Sequence, residues 1–214
     1  MLGVTIAIGN SYKRMAERAA ASFAKNAGLE TRILTPRLPA HRLSKLHLFE
    51  LVAEDRFIFF DADTLMIQEA DLGFGFIDEG FTAVRVYADS PATDTWPPLW
   101  YEAGRRRIKT KCHRHQIDGA SYFNSGLMWL NHKQHLEMFE RAKVLPNMGP
   151  GDDDELHLNI AAKELGVKIN VLDDDRCNRI LTGEDDVPDD TVIVHAVACR
   201  DPMAGRQWMM DLEF

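Results

Sequence analysis

Apolar and polar positions alternate along the chain between two periods. Residues 4–8 form a short apolar run that stops at Gly9-Asn10, which predicts a buried strand ending in a turn. Residues 12–26 place Met15, Ala19 and Phe23 on one helical face, and Gly28 follows as a stop signal. A β-rich segment at 31–35 runs into Pro36 and Pro39. Residues 43–52 read as a helix, with Ser44 as a cap and Leu46, Phe49 and Leu51 near helical spacing. Residues 56–60 are almost wholly apolar, the pattern of a strand covered on both faces.

Further strands are expected at 81–87, 127–130, 167–172 and 192–194, and helices at 132–143 and 153–165. Residues 88–115 contain Pro91, Pro97 and Pro98 and predict an irregular loop or small subdomain. Strands and helices therefore alternate, which predicts an α/β protein with a mixed, mostly parallel sheet flanked by helices. No repeat and no dividing linker is visible, so residues 1–214 are read as one domain.

Composition narrows the class. Of 214 residues, 45% are hydrophobic and 27% charged, ordinary for a globular protein. The net charge of −8 argues against a nucleic-acid binder, which needs basic surface to neutralise phosphates. No apolar run reaches the roughly 20 residues of a membrane span. The apolar start lacks a basic leader and reads as a strand. Three scattered cysteines, Cys112, Cys177 and Cys199, do not make a disulfide framework, so a reduced cytoplasm is expected.

Chemistry first shows where the 56–60 strand ends, at Asp61-Ala62-Asp63. Ligands of open α/β sheets bind beyond the carboxyl ends of strands. Two carboxylates there can share a divalent cation, because Mg²⁺ and Mn²⁺ take oxygen ligands. A solvated turn would also use Asp. A haloacid-dehalogenase phosphatase opens the same way, but it needs Thr or Val at the position of Leu65.

The stretch 43–49 leading into Phe60-Asp61-Ala62-Asp63-Thr64-Leu65 resembles the glycogenin-type enzymes of glycosyltransferase family 8. So do Phe123-Asn124-Ser125-Gly126-Leu127, the helix Asp154-Glu155-Leu156-His157-Leu158-Asn159 and the strand Val192-Ile193-Val194-His195, in the family's order. Tyr12 and Ser22 sit ten apart, as a Tyr and a Ser do in that family.

The resemblance implies a GT-A fold and a retaining, metal-dependent transferase that moves a hexose, glucose or galactose, from a UDP-sugar. Its acceptor is a glycan, lipid or protein that the sequence does not identify, and a homodimer is compatible with it. By residue matching, Asp61, Asp63 and His195 are the ligands of Mn²⁺ or Mg²⁺, and the imidazole favours Mn²⁺. Tyr12 would stack on uracil, with Asn10 and Ala62 nearby. Lys45 would reach the donor's diphosphate. Asn124 and Asp154 would bond the transferred sugar, with Asp154 also stabilising positive charge on the anomeric carbon. Asp118 is a looser candidate. Front-face attack and a covalent intermediate both stay open.

Two departures stand out. After His195 the family carries Gly and then Lys-Pro against the diphosphate. Here Ala198 and Asp201-Pro202 stand there, with Arg200 as the substitute cation. The Gln of the family's Asp-Gln pair is Glu155. These changes keep a catalytically inactive nucleotide-sugar-binding module as the alternative. A nucleotidyltransferase would need a Gly-rich, basic loop that Gly9-Asn10-Ser11-Tyr12 does not supply.

The segment Arg105-Arg106-Arg107-Ile108-Lys109-Thr110-Lys111-Cys112-His113-Arg114-His115 is the one basic patch in an acidic chain. It could close over the diphosphate, grip an anionic acceptor or form a solvated loop. Cys112, His113 and His115 make a weak zinc signal. Trp96, Trp100 and Tyr101 could stack on a sugar or fill a small core.

Overall fold

The computed structural model describes residues 1–36, 41–85, 98–148, 152–172, 177, 179–180, 187, 189–195 and 209–211. Six strands form the main sheet, in the order β2-β1-β3-β6-β5-β7. They are β1 (Leu2–Ile6), β2 (Glu30–Leu34), β3 (Arg56–Phe60), β5 (Phe81–Arg85), β6 (Phe123–Asn131) and β7 (Ile169–Leu172). All run parallel to their neighbours except β6, which is antiparallel to both β3 and β5. The expected mixed, mostly parallel α/β sheet is therefore present.

The unbroken apolar run of β3 has a direct cause: both faces of the sheet are covered. Phe57 and Phe59 pack with Phe139 and Leu158, from α4 (His132–Lys143) and α5 (Asp154–Glu164). Ile58 and Phe60 face the other layer, where α1 (Asn10–Ala27) supplies Ala19 and Phe23. The rings of Phe23 and Phe60 stack at 4.0 Å between centroids. Gly28 closes α1 in the left-handed conformation, at φ 62°, where a Cβ would be strained.

Three elements differ from the sequence reading. Residues 41–47 form a 3₁₀ turn, and only Leu48–Leu51 (α2) is α-helical, so the 43–52 helix is tighter than expected. Pro98–His115 is an 18-residue helix (α3) where an irregular stretch was expected. The reason is positional: Pro98 begins the helix, where its fixed φ and missing N–H cost nothing. The third is a small second sheet of β4 (Thr64–Met66), β9 (Ile193–His195) and β8 (Arg179–Ile180), in the order β4-β9-β8.

That small sheet is anchored by α1. Ser22 Oγ accepts from the Met66 N–H at 3.0 Å, and Asn26 Nδ2 donates to the Met66 carbonyl at 2.6 Å. Two buried side chains thus replace the missing neighbour strand on β4's free edge. On its other edge β4 pairs with β9, setting Thr64 opposite His195. Ser22→Ala leaves the buried Met66 N–H without an acceptor and should cost about 1–3 kcal/mol in urea denaturation. An unchanged midpoint would show that this bond does not hold the sheet.

Candidate metal centre and its surrounding pocket

β3 ends at Phe60, and a tight turn follows. The Asp61 N–H donates to the Gly126 carbonyl at 2.8 Å, while Thr64 returns its N–H and hydroxyl to the Asp61 carbonyl. This turn holds Asp61 and Asp63 together, and the β4–β9 pairing brings His195 to them. His195 Nε2 lies 3.3 Å from Asp63 Oδ1 and 3.7 Å from Asp61 Oδ2. One ligand atom from each residue lies within 4.8 Å of the others, and among the described residues no other such cluster occurs.

A divalent metal fits this donor set. Two hard carboxylate oxygens and one imidazole suit Mn²⁺, and Mg²⁺ less well because of the nitrogen. The backbone beneath is shaped for it. A Cβ on Gly126 would fall 2.5 Å from His195 Cε1, 2.7 Å from Asn124 Oδ1 and 3.0 Å from Asp61 Oδ2. A glycine lets β6 pass this close under His195 and Asp61, two of the three ligands.

Lys45, from the 3₁₀ turn, is the central cation. Its Nζ lies 2.9 Å from both Asp61 carboxylate oxygens, 3.0 Å from Ser125 Oγ and 3.9 Å from Asp154 Oδ1. Burial disfavours its charge, but Asp154, Asp61 and Asp63 outweigh that and raise its pKa. Burial pushes Asp154 up to about 6, against the pull of Lys45. Burial likewise raises Asp61, helped by the like charge of Asp63. Asp63 goes the other way: His195 overcomes its burial and lowers it.

A second polar group adjoins the first. Glu155 Oε1 accepts from the Tyr122 hydroxyl and Oε2 from Asn124 Nδ2, each at 3.0 Å. Asn124 Oδ1 in turn accepts from the Gly126 N–H at 2.8 Å, so both ends of its amide are engaged. Burial pushes Glu155 up to about 7, with Lys111 pulling it down. Tyr122 and Ser125 were not singled out from the sequence, because a phenol and a hydroxyl carry no signal until partners across the fold are known.

A cavity of about 300 Å³ opens beside the cluster, lined by Ile6, Ile8, Tyr12, Ser44, Lys45, Phe59 and Asp61, Ala62 and Asp63. Tyr12 is 39% exposed, so its ring is accessible. Of the candidates, Tyr12, Lys45, Asp61, Ala62 and Asp63 share this cavity, and Asp154 and Asn124 adjoin it through Lys45 and Gly126. Asn10 is exposed at the start of α1, outside the lining. Asp118 is exposed in a turn, its carboxylate accepting from the Ala120 N–H. Cys112 is buried in a small apolar core while His113 is exposed, so the described residues give no zinc site there. Arg200, Ala198, Asp201 and Trp96 lie outside the described residues.

The raised pKa of Glu155 has a sign that can be checked. From about pH 4.5 to 7 the folded protein keeps a proton on Glu155 that the unfolded chain releases. Stability from this group is therefore full below that window and falls as pH rises through it. Between pH 6 and 7 Asp154 contributes in the same sense and the lowered His115 and His135 in the opposite one, so the part due to Glu155 is read as a difference between two proteins. In urea denaturation of the metal-free protein, Glu155 should contribute a loss of up to about 1.4 kcal/mol per pH unit there. Glu155→Gln should flatten the profile; equal slopes in the two proteins would refute the assignment.

No protein-family model matches the sequence, and no curated protein matches it. Solved structures do. The galactosyltransferase LgtC, in complex with donor and acceptor sugar analogs, aligns over 100% of this chain and 97% of its own, at 15% identity and a TM-score of 0.56. A glycosyltransferase involved in glycosylation of the major capsid of PBCV-1 aligns over 98% of this chain and 100% of its own, at 11% identity and a TM-score of 0.59. The glycosyltransferase GlyE of Streptococcus pneumoniae TIGR4 aligns over 91% of this chain and 53% of its own, at 15% identity and a TM-score of 0.59. At these identities the likeness is one of architecture, and the chain has the GT-A fold of these glycosyltransferases.

Proposed function

We propose that this chain is a metal-dependent, retaining glycosyltransferase that moves a hexose from a UDP-sugar to an acceptor. The observation that carries the reading is the Asp61, Asp63 and His195 cluster at the end of a central strand, opening on a cavity lined by Lys45 and Tyr12. The GT-A fold supports it.

Asp61, Asp63 and His195 would hold the metal, which would neutralise the diphosphate leaving group. The chain's own residues do the rest. Lys45 brings an ammonium to the cavity wall, where the charge of a diphosphate collects as the sugar departs. Asp154, 3.9 Å from Lys45, supplies a carboxylate for an oxocarbenium-like sugar. The accessible ring of Tyr12 suits the face of a uracil. Asn124, fixed at both ends by Glu155 and Gly126, offers its remaining amide hydrogen to a sugar hydroxyl. Glucose and galactose are the donors to test first.

Purified protein with a panel of UDP-sugars and Mn²⁺ should slowly release UDP from one donor. Asp63→Ala should lower that rate by about a hundredfold or more. UDP binding without turnover from any donor would favour an inactive nucleotide-sugar-binding module, and no UDP binding would overturn both readings. Gly126→Ala forces a methyl group against His195 and Asp61, two of the three ligands, and against Asn124. It should abolish Mn²⁺ binding, read by electron paramagnetic resonance, at a stability cost of only about 1–3 kcal/mol. Retained Mn²⁺ affinity in this variant would count against the assigned ligands.

A further inference from the structure

A second cavity, of about 160 Å³, lies between α3 and the start of α5, and its cations come from Arg107, Lys111 and Arg114. It shares no lining residue with the cavity of Lys45 and Tyr12. α5 connects the two. Its N-cap, Asp153, receives Lys111 Nζ at 2.8 Å and Arg107 at 3.3 Å, and the next residue, Asp154, faces Lys45.

This helix is not a loose basic arm. Cys112 and Ile108 pack with Ile117, Tyr122, Leu156 and Ile160 in a small core of their own. The basic face is therefore held at a fixed place beside Glu155, and the charge of Lys111 is felt there. Asp154 lines neither cavity but stands between them in the chain's contacts: it faces Lys45 of the first, and its neighbour Asp153 is held by Arg107 and Lys111 of the second.

We infer that the groove between α3 and α5 is the acceptor's anion subsite and binds a phosphate group carried by the acceptor. This rests on the transferase reading for the word acceptor; the phosphate site itself does not. Asp152 also lines the cavity, but its carboxylate is turned to His157 Nε2 at 2.7 Å and to the Met148 N–H; the two guanidinium forks and the ammonium match the several oxygens of a phosphate better than a single carboxylate. Arg107 and Lys111 are shared with Asp153, whereas Arg114 has no carboxylate partner among the described residues. A volume of about 160 Å³ holds roughly five waters, space for one phosphate group.

The test fills the first cavity with UDP and Mn²⁺ and then titrates glucose 6-phosphate, with glucose as the uncharged control, by calorimetry. Glucose 6-phosphate should bind and glucose should not. Arg107→Gln with Arg114→Gln should weaken binding roughly tenfold or more, and Arg114→Gln alone should show part of that loss without touching the Asp153 pairs. Vesicles of phosphatidylcholine with and without phosphatidic acid form the second arm. Binding that needs phosphatidic acid and is lost in the double variant supports the groove and puts its phosphate on a lipid. Binding of the sugar phosphate alone supports it and puts the phosphate on a soluble glycan. Equal binding of glucose and glucose 6-phosphate, or phosphate binding that the double variant leaves unchanged, overturns the inference. Because the titration can be repeated without UDP, a protein that fails to bind UDP would lose the donor reading and keep this one open to the same result. In a working transfer assay, the double variant should raise KM for a phosphorylated acceptor more than it lowers kcat.

Discussion

The structure turns on a charge imbalance in a poorly hydrated corner. Among the described residues, Asp61, Asp63 and Asp154 meet a single ammonium, Lys45, with side-chain exposures between 12% and 23%. Water screens such charges weakly, so like-charge repulsion stays strong. Burial raises Asp61 and Asp154 against the pull of Lys45, with neighbouring carboxylates adding to the rise, while His195 and then Lys45 hold Asp63 low. A divalent cation among Asp61, Asp63 and His195 would neutralise the excess, which is why the cluster reads as a site and not as part of the core.

Holding that corner together explains features that look unrelated. The small sheet exists to carry His195, and its position is transmitted from α1 through Ser22 and Asn26 to Met66, then across the β4–β9 ladder. β6 runs against the direction of its neighbours, so its start lies at the carboxyl end of β3, with Phe60 opposite Leu127. That reversal places Asn124, Ser125 and Gly126 against Asp61 and Lys45. An all-parallel sheet would put the start of this strand at the opposite edge.

Much of this was legible in the sequence, for reasons that differ by element. The strand Arg56–Phe60 and the helix His132–Lys143 were readable because one is covered on two faces and the other on one, so burial sets the apolar pattern directly. β4 and β8, at three and two residues, are too short to show any period. Pro98 looked like a breaker because a proline at the first turn of a helix and one in a loop have the same local sequence. In the site, the Asp61–Asp63 pair stood out by its place after an apolar strand. His195 stood out only through the family resemblance, since a histidine ending a strand is by itself uninformative. Glu155 registered merely as a mismatch. Its partners Tyr122 and Asn124 lie 33 and 31 residues away in the chain, so their bonds exist only once β6 meets α5.

Glu155 also links the two ends of the molecule's chemistry. Its carboxyl titrates near neutrality because burial raises it and Lys111, on the basic helix, restrains that rise. Any anion that takes up part of the field of Lys111 therefore moves Glu155 further up, toward the protonated form. A protonated Glu155 has an O–H to donate and one fewer charge-assisted bond to accept, so the grip on Asn124 Nδ2 slackens. Asn124 is the residue whose other end secures the Gly126 N–H beneath the metal ligands. Lys111 on α3 and the Gly126 N–H beneath Asp61 and His195 are thus joined through Glu155 and Asn124 by two hydrogen bonds.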